Sequence, residues 1–408
     1  MKHDYIKILE GLKTEIRNDV SELIATPAIN PRIVGGTGED KAADWICSRL
    51  GNFGIPYERV EIPDYDSSSG KRPNIVVRFA GQGYTGKTLW FVAHLDTVGV
   101  GERVKWESDP FVPRFDGQDI IYGLGSEDNG QAVISLLYCC RLIKELGILT
   151  ENDIGFVFVA DEETGSDYGL KALVKKGTFH PGDEAVVPDG GSPDGSFIEI
   201  AEKNIAWIKF TVTGKTAHAS WPYLGVNATS VGMHLGCDLE TDLRKRFCAR
   251  NTLFDPPYST FELTQKFANV DSPNVIPGKD QFVMDMRILP CYTITEMLEL
   301  VEATIARYEY EYKVRIEYEF LQRVDAPPPT DTDARIVKVL ENVLRKEGVT
   351  AYSGGIGGGT CAAILRREGI PAVVWSHLND VCHIPNEYVD LKNIIKDVNV
   401  YLRIMDEY

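Results

Sequence analysis

The chain lacks any uninterrupted apolar run approaching the roughly 20 residues that a membrane-spanning helix requires, so no membrane partner is expected. It also lacks an excess of positive charge. With 43 Lys+Arg against 60 Asp+Glu the formal charge is −17, a balance that repels a phosphate backbone over most of the surface and argues against nucleic acid as a partner. Cysteine is sparse and scattered; of eight, Cys139 and Cys140 lie inside an apolar helical run, which reads as buried reduced thiols in a cytoplasmic protein rather than a disulfide frame. The opening stretch MKHDYIKILEGLKTEIRNDV alternates charge with apolar residues at helical spacing and has no apolar core of a signal peptide, so export is not expected. Internal repeats and low-complexity tracts are missing too. What is present is 408 residues with 43% hydrophobic content, enough to fill two ordinary cores.

Strand-like and helix-like segments alternate over the first half. After the opening helix, GEDKAADWICSRLGNFGIP reads as a second helix stopped by Gly51 and Gly54, and NIVVRFAG and KTLWFVAHLD as strands. The long helix NGQAVISLLYCCRLIKELG, the strand DIGFVFVADEE and the helix YGLKALVKKG follow, the order of an α/β sheet covered on both faces. From about Asn204 the texture becomes that of a smaller α+β unit. Strands NIAWIKFTVTG, QFVMDMRIL and YKVRIEYEFL enclose helices NATSVGMHLGCDLETDLRKRF and TITEMLELVEATIARYEYE. VDAPPPTDTD marks its exit, since consecutive prolines continue neither helix nor central strand. The α/β pattern then resumes, so the chain reads as residues 1–203 and 324–408 of one domain with 204–323 inserted.

Two glycine-rich stretches suggest chemistry. GQGYTGKT satisfies a phosphate-loop pattern at Gly81, Gly86, Lys87 and Thr88, yet such a loop must open a helix, and LWFVAHLD is too apolar and β-branched to do so. A hairpin turn is the simpler expectation. GGIGGGT lacks dinucleotide spacing but precedes the helix CAAILRREG, so Gly357, Gly358, Gly359 and Thr360 are either a flexible loop or a cradle for a carboxylate or oxyanion.

His94 and Asp96, two apart at a strand's end, would project together where open α/β sheets place their ligand crevices. Asp128 in GSEDNG, Asp161, Glu162 and Glu163 in VADEETGS, and Asp189 in VVPDGG each terminate a buried apolar run, where an unpaired charge is costly. WSHLNDVCHIPNEYV adds His377 and His383. Imidazole nitrogens with carboxylate oxygens are the ligand set of Zn²⁺, with Mn²⁺ or Co²⁺ as substitutes.

The order HLD, SEDNG, DEETG, PDG, HIPNE resembles the co-catalytic zinc peptidase and deacylase family of aminoacylases, acetylornithine deacetylases, succinyl-diaminopimelate desuccinylases, tripeptidase T and carnosinase-type dipeptidases. The resemblance runs from about residue 10 to the C-terminus. It implies a zinc-peptidase-type, mostly parallel sheet flanked by helices, with residues 204–323 as an inserted lid or dimerisation domain, and two Zn²⁺ as cofactors. It implies His94, Asp128, Glu163, Asp189 and His383 as metal ligands, Asp128 bridging beside a cis peptide bond. Asp96 would orient His94, Glu162 would be the general base, and His377 would be structural. GKTAHASWPYLGVNA matches the lid signature, so His218 would stabilise the oxyanion; in dimeric members it reaches into the neighbouring subunit. Asn274 and Arg287 match positions that hold the substrate's carboxylate, a task the glycine loop could share. For all three the structural alternative, a buttressing histidine and surface polar side chains, stays open.

The implied reaction is hydrolysis of an amide in a small peptide or N-acyl amino acid, by water activated between metals with Glu162 taking its proton. Relatives of the deacylase kind usually carry glutamate where this chain has Asp189, which tilts the expectation toward peptides. Desuccinylase-like or deacetylase-like deacylation is the alternative. A noncatalytic metal-binding protein would not need Glu162, and a cysteine hydrolase would have only Cys361 to use.

Overall fold

The computed structural model describes residues 3–408. Two compact units make up the chain: Met1–Ile200 with Pro329–Gly354 and Thr360–Tyr408, and Ala201–Pro328 with Gly355–Gly359.

The first unit is built on an eight-stranded sheet. In spatial order its strands are Glu58–Pro63, Lys71–Phe79, Asp153–Val159, Thr88–His94, Glu184–Val187, Ala372–Val374, Phe197–Glu202 and Tyr352–Ile356. The four strands from Asp153–Val159 to Ala372–Val374 are mutually parallel, while Lys71–Phe79 and Phe197–Glu202 join them antiparallel. Parallel strands are covered on both faces and need apolar side chains on both, which is why LWFVA and FVFV read as continuous runs and are buried throughout. Trp90 and Val92 enter a core with Leu170, Leu173 and Leu365 on one face. Phe91, between them, stacks on Phe156 and meets Tyr401 of helix Leu391–Met405 on the other. Helices Tyr5–Ile24 and Ala132–Leu146 pack with Leu391–Met405.

The second unit is a four-stranded antiparallel sheet, ordered Thr260–Lys266, Lys279–Ile288, Asn204–Thr213, Arg315–Val324, against helices Ala228–Arg246 and Ile294–Tyr312. Its core holds Ile208, Phe210, Leu235, Met284 and Val301. The strand Thr260–Lys266 adds to the three read from sequence. Its side chains from Glu262 onward are exposed, so no apolar alternation announces it.

Three expectations need correction. GQGYTGK is no hairpin, because strands Lys71–Phe79 and Thr88–His94 lie on opposite sides of Asp153–Val159. The loop instead crosses over the end of that strand, with Gly81 and Gly83 donating backbone N–H to Asp153 Oδ1 at 2.7 Å and to the Glu151 carbonyl at 2.8 Å. Asp96 lies beyond the strand, which ends at His94. The cysteines are all free, but burial holds for Cys47, Cys139, Cys140 and Cys361 only; Cys237, Cys248 and Cys291 are exposed.

Candidate metal centre

Parallel neighbouring strands end on one edge of a sheet, so the residues that follow them converge there. Thr88–His94 ends on His94 itself, Asp153–Val159 is followed by Asp161, Glu162 and Glu163, and Glu184–Val187 by Asp189. The chain after Ala372–Val374 supplies His383. Asp128 comes from the turn Ser126–Gln131 that opens helix Ala132–Leu146, and its peptide bond to Asn129 is cis.

The structure brings these side chains into one cluster. His94 Nε2 is 2.9 Å from Asp128 Oδ1 and 3.4 Å from Asp189 Oδ1. His383 Nε2 is 2.9 Å from Asp128 Oδ2 and 3.3 Å from Glu163 Oε2. Asp128 therefore shows one carboxylate oxygen to each imidazole. Donor atoms of His94, Asp128 and Glu163 lie within 4.8 Å of one another, as do those of His94, Glu162 and Asp189.

Four carboxylates at one partly buried spot with two imidazoles are an unfavourable assembly unless cations compensate it. Burial, with Asp189 beside it, pushes Glu162 well above the usual carboxylate range. Burial also raises Glu163 and Asp189. For Asp128 burial acts in the same direction, but hydrogen bonds from His383 and His94 outweigh it and hold the carboxyl low. His94 would be lowered by burial, yet Asp189, Asp128 and Asp96 lift it well above its ordinary value. His383, hydrogen-bonded to Asp128 and Glu163, is pushed up to about 11. Without metal the neighbouring carboxylates thus favour the protonated form of both imidazoles. Glu163 Oε1 is buried without a hydrogen-bond partner, a lone pair the protein leaves unused. The donor set, two imidazoles and four carboxylates, fits Zn²⁺, Mn²⁺ or Co²⁺.

Asp96 sits behind this cluster and is fully buried. His94 Nδ1 is 2.9 Å from the backbone carbonyl of Asp96 and 3.6 Å from its carboxylate. The carboxylate instead accepts the backbone N–H of Glu162 at 2.9 Å and of Glu163 at 3.1 Å. Asp96 thus orients the imidazole through its main chain and the two glutamates through its side chain. The other oxygen contact is Asn30, a residue no motif or spacing pointed to. His377 is buried, its Nδ1 2.8 Å from Asp397 Oδ1.

The remaining expected residues belong to the second unit, apart from Thr360. His218 is exposed on the short strand Ala217–His218; its Nδ1 accepts the backbone N–H of Ser220 at 3.2 Å, and Trp221 flanks the ring. Asn274 Oδ1 accepts the Ser272 hydroxyl at 2.6 Å, and its carbonyl accepts the Ala219 N–H at 2.8 Å. Arg287 is already engaged: Asp285 accepts from Nε and Nη2 at 2.7 and 2.9 Å, and the Gly357 carbonyl accepts from Nη1 at 2.7 Å. Gly358 and Gly359 follow in the same loop. Thr360 caps the seven-residue helix Cys361–Arg367, its hydroxyl accepting the Ala362 N–H at 3.2 Å. Cys361 is buried and its thiol is pushed up by that burial, which disfavours the thiolate a nucleophile needs. Among the described residues no helix is long and apolar enough to cross a membrane.

An acid-rich, imidazole-bearing cluster at the carboxyl edge of an α/β sheet fits a metal-dependent enzyme, and comparison with known proteins gives the family. Residues 90–407 match the profile of Peptidase family M20/M25/M40, and the chain belongs to that family. It is 37% identical to an uncharacterized metallohydrolase of Methanocaldococcus jannaschii, over 98% of this chain and 99% of that protein. It is 22% identical to a succinyl-diaminopimelate desuccinylase of Stutzerimonas stutzeri, over 94% and 95% of the two chains. Its fold is similar to that of a tripeptidase from Staphylococcus aureus, with a TM-score of 0.77 at 19% identity, covering 97% of this chain and 98% of that one. The protein is a metallohydrolase.

Proposed function

We propose that the protein hydrolyses the amide bond of a small peptide or N-acyl amino acid carrying a free carboxylate. The observation that carries this reading is Asp128, which offers one oxygen to the His94 side and one to the His383 side of a single cluster. His94, Asp128 and Asp189 would hold one divalent cation and Asp128, Glu163 and His383 the other, with Zn²⁺ the metal this donor set suits. When bound, such a pair supplies Lewis acidity toward a carbonyl and acidifies water.

The protein's own groups do the rest. Glu162, placed by the Asp96 carboxylate and raised by burial, accepts the proton of the attacking water and returns it to the leaving amine. His218 accepts a backbone N–H at Nδ1, which puts the ring proton of the neutral imidazole on Nε2, where it can donate to a developing oxyanion. Asn274 and Arg287 receive the substrate carboxylate, with Gly357, Gly358, Gly359 and Thr360 bordering it. Because Asp285 occupies two positions of the Arg287 fork, the carboxylate would use the remaining guanidinium N–H groups rather than the full fork. Peptides are favoured over N-acyl amino acids by the aspartate at position 189, a tilt that rests on the family resemblance. The desuccinylase relative supports the deacylase alternative. A homodimer belongs to the proposed reading and rests on the family resemblance. A cytoplasmic location is part of the same reading.

The test is a screen of the chelator-stripped and Zn²⁺-, Co²⁺- or Mn²⁺-reloaded protein against dipeptides, tripeptides, N-acetyl and N-succinyl amino acids, each with its C-terminal amide counterpart. Metal-dependent turnover of the free acids and weak turnover of the amides is the expected result. Equal turnover of acids and amides removes the carboxylate requirement, and turnover indifferent to chelation removes the metal mechanism.

A further inference from the structure

Two acids beside the proposed ligands are not spent on metal. Glu127 and Glu387 are 2% and 1% exposed, so each carboxylate needs partners inside the protein. Those partners are backbone N–H groups. Glu387 Oε1 accepts from Glu127 at 2.8 Å and Asp128 at 2.9 Å, and Oε2 accepts from Gly125 at 2.8 Å. Glu127 Oε1 accepts from Asn379 at 2.6 Å, and Oε2 from Val381 at 2.8 Å. The relation is reciprocal: the loop that carries Asp128 is held by an acid from the loop that carries His383, and the reverse.

A carboxylate suits this task because its two oxygens accept several N–H groups at once, and a charged acceptor makes hydrogen bonds roughly twice as strong as neutral ones. Glu387 also sits against the turn that opens helix Ala132–Leu146, where unpaired N–H groups favour an anion. The backbone there depends on glycine: Gly125 has φ +71°, and a Cβ on Gly130 would lie 2.3 Å from the Gly125 carbonyl oxygen. Asp128 and Asn129 between them depart from helical dihedrals, so no regular ladder fixes where Asp128 points. His383 likewise lies in irregular chain with φ +61°.

We propose that Glu127 and Glu387 form a reciprocal clasp that positions Asp128 and His383, and thereby sets the affinity of the cation those two share with Glu163. The proposal rests on the two-cation reading above. Neither acid touches metal or substrate; both are positioning residues.

The experiment is equilibrium Zn²⁺ titration of the full chain against a chromophoric chelator, for the unaltered protein and for Glu127→Gln and Glu387→Gln. Glutamine keeps the volume but turns an amide N–H₂ toward a backbone donor. The unaltered chain should bind two cations. Each variant should bind at least one of the two cations roughly 10–100-fold less tightly, the range for losing a group that orients a ligand. The double variant should be little worse than the poorer single one, since the clasp fails as a unit. If the unaltered chain does not bind two cations, the two-cation reading itself is wrong. If it binds two and both variants keep both affinities unchanged, the clasp is wrong and the two-cation reading stands. Amide exchange of the unaltered, zinc-free protein decides the matter even if the variants do not fold. Slow exchange at Gly125, Glu127, Asp128, Asn379 and Val381 supports the clasp, and unprotected exchange at all five overturns it.

Discussion

Asn30 donates its side-chain N–H to Asp96 Oδ2 over 2.7 Å, and the same Nδ2 lies 3.2 Å from Asp161 Oδ1. All three residues are fully buried, and the amide is the neutral spacer that lets two carboxylates sit behind the metal cluster.

Asn30→Ala therefore leaves two buried acceptors short of a donor. The expected cost is about 1–3 kcal/mol, because each oxygen loses one donor but keeps another, the Glu163 N–H at Asp96 Oδ2 and the Thr164 hydroxyl at Asp161 Oδ1. Urea unfolding of the zinc-free protein measures it. A cost below about 0.5 kcal/mol would mean that water replaces the amide without loss.

Arg72 continues the same network on the far side of Asp161. It is fully buried, with Nε 2.9 Å from Glu39 Oε2, Nη1 3.2 Å from Asp64 Oδ2 and Nη2 3.4 Å from Asp161 Oδ1. Arg72→Met keeps much of the volume and strands three buried acids, so a loss of about 3–5 kcal/mol is expected. Arg72→Met with Glu39→Gln should recover part of it. Stability unchanged in the single variant would show that the acids are protonated rather than paired.

Glu162→Gln should retain both cations and lose roughly 10²–10⁴-fold in kcat, the usual contribution of a positioned proton acceptor. Because Glu162 also lies within donor reach of His94 and Asp189, the cation count matters as much as the rate. Mass-spectrometric metal analysis after gel filtration provides it. Loss of a cation with the side chain would make Glu162 a ligand.

Cation binding should tighten as pH rises. His383 is lifted from 6.5 to about 11 by its hydrogen bonds to Asp128 and Glu163, so at pH 7 the cation-free ring is protonated and a cation must displace that proton. His94, raised in the same direction, adds a second. Each displaced proton makes the apparent Kd fall about tenfold per pH unit. In the cation-free chain the sign is reversed: the stability contributed by the His383 pairing is full below about 6.5 and is lost as pH climbs toward about 11. Zn²⁺ titrations at pH 6, 7 and 8 in two buffers of different protonation enthalpy count the protons. A Kd independent of pH would mean that the imidazoles are neutral before metal arrives.

Much of the sheet and its candidate ligands could be read from the sequence. LWFVA and IGFVFV are apolar without alternation because both their faces are covered, and that alone marks buried parallel strands. The acids after them stand out because a charge at the end of such a run demands compensation. Asp128, Asp189 and the acids at 161–163 stood out for this reason, the choice of Glu163 and His383 among their neighbours rested on the family resemblance, and the structure gathers these side chains with His94. The exposed strand Thr260–Lys266 was not legible, since nothing in its own sequence is buried enough to show a period.

Sequence by itself determined which side chains are candidates for the chemistry, because donor type and the apolar context of each motif are local properties, and the family resemblance proposed their roles. Tertiary structure decided what holds them: Asn30 between Asp96 and Asp161, the Asp96 carboxylate on the Glu162 and Glu163 amides, and the exchange of acids between the loops of Asp128 and His383. These contacts join residues up to about 260 positions apart, mostly through backbone N–H groups, which every residue but proline possesses. A donor common to nearly all residues leaves no trace in composition or spacing, so only the folded chain reveals where it points.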